Sequence, residues 1–183
     1  MEDKNRKILI VLLVALLVLL IAGIVIVCVM LNRGSEPAET DKIVPDYPPQ
    51  ATDPNQAPME NDPGGTLETE DGGAGVNLTY SATATIDLSE GLVTLYYANP
   101  SKSTQDMVAT LVLENGDVVV CRSQRITPGN QVRELPLEES VRELLEVGAG
   151  YNAKFVVGCY DPNTNEKAIV ELVGGGVVVK VEE

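Results

Sequence analysis

Residues Met107 to Ser123 read MVATLVLENGDVVVCRS, and this stretch sets the class of the fold. Two runs rich in apolar and β-branched residues, Met107–Glu114 and Val118–Ser123, flank Asn115-Gly116. Asn-Gly accepts the positive φ angles of a tight turn, so this pair between apolar runs predicts a β-hairpin. The pattern extends both ways. Towards the amino terminus, Val76–Leu88 alternates Asn77, Thr79, Ser81, Thr83 and Thr85 against Leu78, Tyr80, Ala82, Ala84 and Ile86. Leu92–Ala98 follows a turn at Asp87–Gly91, and Asn99 to Ser103 forms a loop. Towards the carboxyl terminus, Thr127-Pro128-Gly129-Asn130 turns into Gln131–Leu137. Tyr151–Tyr160 then puts Tyr151, Ala153, Phe155, Val157 and Cys159 on one face, and Lys167–Val181 ends the series. Gly174-Gly175-Gly176 inside that last run predicts a bulge or a change of sheet. Within Glu138–Val147, the residues Val141, Leu144 and Leu145 share one helical face, with acids at the start and Gly148 as the stop. The expectation for residues 76–183 is an all-β domain of about seven strands with one short helix.

The order of these runs resembles an immunoglobulin-like β-sandwich. In that fold a tyrosine two residues before the second core cysteine caps a corner by bonding back to the chain. Tyr151 matches that tyrosine, and Ala153 stands where the cysteine would be. The third strand carries no tryptophan, so the likeness is not to antibody domains. Asn99-Pro100-Ser101, Asn115-Gly116 and Ile126-Thr127-Pro128-Gly129-Asn130-x-Val132 are similar to the loop, hairpin and turn of bacterial adhesion-related Ig-like modules. The resemblance implies a structural corner at Tyr151 and display on a bacterial cell surface.

Outside the domain, Ile8 to Leu31 reads ILIVLLVALLVLLIAGIVIVCVML, without a charge, an amide or a proline. As a helix it would be roughly 36 Å long, enough to cross a hydrocarbon core of ~30 Å. No Ala-x-Ala site follows it, and Val27 before Cys28 departs from the small residue that lipidation needs. The expectation is a retained transmembrane signal anchor, residues 8–31, behind a cytoplasmic head, residues 1–7. Lys4, Arg6 and Lys7 before the run outweigh Arg33 and Lys42 after it, which puts the amino terminus in the cytoplasm and the carboxyl-terminal domain outside the cell. Residues 32–75, with seven prolines and ten acidic residues, read as a disordered linker whose scattered Ile43, Val44, Tyr47, Met59 and Leu67 bury too little to order it.

The formal net charge is −14, which argues against nucleic acid and anionic lipid headgroups as partners. The chain has no histidine, the commonest acid/base group and metal ligand. Cys121 and Cys159 fall on the domain's fourth and sixth strands. They form a disulfide if both point inward at matched height, and otherwise remain two buried thiols. Asp161-x-Asn163-x-Asn165-Glu166 begins like a calcium loop, but Glu166 and Leu172 occupy the places of its glycine and final glutamate, so it reads as a turn. Ser101-Lys102-Ser103 lacks the desolvation a catalytic lysine needs. Asn77-Leu78-Thr79 matches a glycosylation acceptor pattern. Val177–Val181 reads as buried strand or as an edge open to a partner's strand. These features lead to a non-enzymatic, single-pass membrane protein presenting a β-sandwich for protein interaction or cell-envelope structure. No catalytic residue, cofactor or metal site is expected, and the partners are the membrane through residues 8–31 and a protein. An extracytoplasmic ligand sensor or solute-binding accessory is the alternative.

Overall fold

The computed structural model describes residues 43–65, 67, 75–168 and 171–183. The expected span and head, residues 1–31, lie outside the described residues. Among those described, no helix is long and apolar enough to cross a membrane. The elements run β1 (Ala57–Pro58), β2 (Thr79–Tyr80), β3 (Thr83–Asp87), β4 (Leu92–Asn99), β5 (Asp106–Leu113), β6 (Val118–Arg122), β7 (Asn130–Pro136), α1 (Glu139–Arg142), β8 (Gly150–Tyr160) and β9 (Leu172–Glu182). The domain is all-β.

The strands form one sheet in the order β1-β7-β4-β3-β9-β8-β5-β6, with β2 added beside β4. β3 lies antiparallel to β4 on one side and parallel to β9 on the other. The sheet is a single curled one, and one core draws on strands from both sides of β3. Ile86, Val93 and Tyr97 pack there with Leu111, Phe155 and Val179, all of them solvent-excluded. The rings of Tyr97 and Phe155 are 5.4 Å apart, and the Tyr97 hydroxyl donates to the Met107 sulfur at 3.0 Å. The alternation read in the sequence supplies these inward residues, because side chains in a strand point to opposite faces in turn.

Several expectations change in detail. The run Val76–Leu88 is interrupted at Ser81, whose hydroxyl accepts from Tyr96 N at 3.2 Å and donates to Thr83 O at 2.6 Å, replacing ladder bonds. The hairpin closes on Leu113 and Val118, so its loop is longer than the Asn-Gly pair, and the positive φ angles fall on Gly116 and Asp117. The glycine run in β9 does make a bulge: pairing with β8 shifts between Ala153 and Phe155, opposite Gly176 at φ +77°. A Cβ on Gly174 would sit 2.7 Å from the Tyr80 ring, so glycine there admits the ring that stacks edge-on against Phe155. The helix is a single turn, and Leu144, expected on its buried face, is 59% exposed. β3 pairs with Val178–Glu182 while β8 pairs with Val177–Lys180 on the other side, so Val177–Val181 is not an edge strand.

The largest difference concerns the linker. Residues 32–75 read as disordered, yet Ile43 to Gly65 lie along the sheet as a strap. Val44 is 4% exposed and packs with Val108, Val112, Val156 and Tyr160 on the outer face of β5 and β8. Further on, Asp53 N donates to Arg125 O at 2.9 Å, and the Asp53 carboxylate accepts from Gln124 N at 2.8 Å. Ala57 and Pro58 then add β1 to the edge of β7, and Glu60 reaches Arg133 at 2.9 Å. The strap therefore joins the two ends of the sheet, β6 and β7. Composition alone concealed this, because the bonds that order the strap come from residues far along the chain rather than from its own apolar content.

Candidate interaction surfaces

The residues singled out for chemistry occupy structural places. Cys121 and Cys159 are both buried, free thiols. They flank β5 on opposite sides, where Cys121 faces Leu111 and Cys159 faces Met107. Two strand spacings and four positions of offset put them well over ~10 Å apart, while a disulfide needs Cα atoms within ~7 Å. Both strands belong to the one sheet, on either side of β5. Burial pushes the Cys159 thiol up to about 11 and raises that of Cys121 further, so neither is a ready nucleophile.

The Asp161 carboxylate is spent on its own turn. It accepts from Asn163 N at 2.8 Å and Thr164 N at 2.9 Å, and the Thr164 bond, followed by that of Asn163, lowers its pKa. Asn165 Oδ1 accepts from the Arg125 guanidinium at 3.2 Å, a cation where a calcium site would need a ligand. Among the described residues no group of His, Cys, Asp and Glu is arranged to hold a metal ion. Ser103 Oγ donates to Asn77 O and accepts from Asn77 N, and Ser101 N donates to Asp62, so the Ser-Lys-Ser loop anchors the strap and the strand start. Asn99, expected in a loop, ends β4 and is fully buried; its amide donates to Gln105 O at 2.9 Å and Ile126 O at 3.0 Å.

Tyr151 ties down the connection between α1 and β8. Its hydroxyl accepts from Glu146 N at 3.0 Å and points to Leu144 O at 3.5 Å. Gly148 N donates to Val181 O at 2.9 Å, which fixes the far end of the same corner. Held on it are Leu144, 59% exposed, and Val147, 60% exposed, among the exposed acids Glu139, Glu143 and Glu146. Leu144 and Val147 are thus two exposed apolar side chains among acids, next to a corner held by hydrogen bonds.

The second surface lies under the strap. Thr110 Oγ1 donates to Ile43 O at 3.0 Å, the Arg122 guanidinium to the same oxygen at 3.4 Å, Lys167 Nζ to Val44 O at 3.5 Å and the Tyr160 hydroxyl to Pro45 O at 2.5 Å. A Cβ on Gly158 would lie 2.5 Å from the Val44 side chain, so the glycine leaves the notch that Val44 fills. Burial pushes the Tyr160 hydroxyl up to about 12, which keeps it protonated as a donor. No signal in the strap's own sequence marks this site; the glycine inside the apolar strand β8 is the trace it leaves.

No protein-family model matches this chain, no curated protein matches it, and no solved structure matches it.

Proposed function

We propose that this chain is a single-pass membrane protein, anchored through residues 8–31 with its amino terminus in the cytoplasm, whose β-domain serves protein interaction or cell-envelope structure outside the membrane. The apolar run and the basic residues before it support the anchor and its orientation. The sharing of β3 between β4 and β9, and the Tyr151 corner, support an immunoglobulin-like sandwich as the framework. Framework alone does not set function. The observation that carries the interaction reading is the pinned corner with Leu144 and Val147 exposed among acids, which fits a basic protein surface carrying an apolar side chain.

Two measurements test this. A membrane-impermeant amine reagent added to intact cells should label the domain, where Lys180 is exposed; labelling only after the cells are permeabilised would reverse the topology. The detergent-solubilised full chain should capture a protein that its Leu144→Ser/Val147→Ser form does not. Capture of the same proteins by both forms would remove the corner from the interaction.

A further inference from the structure

The contacts beneath Ile43, Val44 and Pro45 have the form of a peptide-recognition site rather than of ordinary chain packing. Side-chain donors from three strands and a loop converge on three consecutive carbonyl oxygens: Thr110 and Arg122 on Ile43, Lys167 on Val44, Tyr160 on Pro45. A glycine notch at Gly158 takes the valine side chain, and Val108 and Val156 wall it. Donors that read backbone carbonyls, with a pocket for one side chain, are how proteins bind extended peptides. Proline in the third place presets an extended backbone and lowers the entropy lost on binding.

We propose that the outer face of β5, β6 and β8 is a binding groove for an extended Ile-Val-Pro segment, and that a second copy of this chain supplies that segment in trans. Every copy carries both halves of the interaction, the ligand at Ile43–Pro45 and the groove. The strap is joined to the body through residues 68–74, which hold Gly72 and Gly73 and no proline. Seven residues reach roughly 23 Å when extended, enough to pass a strap to a body packed alongside. Exchange of an identical element makes the same contacts in the dimer as in the monomer, so its cost is low. The inference does not rest on the membrane reading, since the groove and the strap are both described parts of the domain.

The test uses two populations of the full chain in detergent micelles, each with a protease site placed within residues 68–74. One is tagged at its amino terminus and the other at its carboxyl terminus. After mixing and cutting, the amino-terminal tag is captured and the carboxyl-tagged body is measured. The expected result is recovery of that body, falling to background when the amino-tagged population carries Val44→Asp. A synthetic peptide of residues 43–50, IVPDYPPQ, added during mixing to the unsubstituted chains should suppress recovery likewise. The peptide arm holds whether or not the variant folds. Absence of the carboxyl-tagged body from the captured material overturns the proposal. Recovery undiminished by both Val44→Asp and the peptide also overturns it, because association then runs through another part of the chain.

Discussion

Asn99 shows what a single residue holds. Its buried amide satisfies the carbonyls of Gln105 and Ile126, and its own carbonyl accepts from Gly129 N at 2.7 Å, so one side chain and its backbone fasten two loops. Asn99→Ala leaves the Gln105 carbonyl without this donor, while Ile126 O keeps its bond from Met107 N at 3.0 Å, and a denaturant melt should show a loss on the order of 1–3 kcal/mol. Gly158 is tested by addition instead of removal. A methyl group there would collide with Val44 and the Tyr160 ring, so Gly158→Ala should raise amide exchange at Ile43 and Val44, and Gly158→Ala/Val44→Ala should recover part of the protection. The absence of any recovery would mean that Tyr160, not Val44, takes the strain. The two thiols should resist alkylation in the native protein and react fully in denaturant, with the same mass under reducing and non-reducing conditions.

At the scale of elements, the strap decides where the domain begins. Val44 buried on one face, Asp53 bonded to Gln124 and β1 paired with β7 make Ile43 to Gly65 part of the folded unit. Limited proteolysis of the full chain should therefore leave a resistant core that contains residues 43–65. A core starting at Gly75 would show that the strap is not held. Burial of Val44 is worth about 1.5–3 kcal/mol, and Val44→Asp should lose at least that, since a carboxylate there is desolvated against Val108, Val112 and Val156. β1 is only two residues long and ends in Pro58, which covers the β7 edge and offers no long edge of its own.

For the whole molecule, acidity sets how stability follows pH. The carboxylates of Asp87 and Asp161 have lowered pKa values from backbone N–H bonds, as does that of Asp62, where the bond from Ser101 leads. Lowered groups favour the fold above their unfolded pKa, and that contribution disappears as pH falls through the folded value. Asp106 is opposite in sign. Burial raises its pKa, opposed by Arg125 at 3.6 Å, so the folded state takes up its proton first and gains stability as pH drops below that raised value. Relief of self-repulsion at a net charge of −14 acts in the same direction. Urea melts should show stability rising slightly as pH falls from neutrality and then dropping below about 4. Asp106→Asn should flatten the rise and leave the drop. Alternation and turn residues act between neighbours, so the class and the position of the main strands could be read along the chain: the hairpin at Asn115-Gly116, the inward face of Tyr151–Tyr160 and an irregularity at the triple glycine, which proved to be a bulge. Tyr151, singled out there by resemblance, accepts from Glu146 N. That β3 pairs with both β4 and β9, that Cys121 and Cys159 stand apart, that β9 is central and that a proline-rich segment laces the open ends emerged in the folded chain alone. Those outcomes depend on which distant donors meet which carbonyls once the sheet has curled, and such pairings carry no period along the chain.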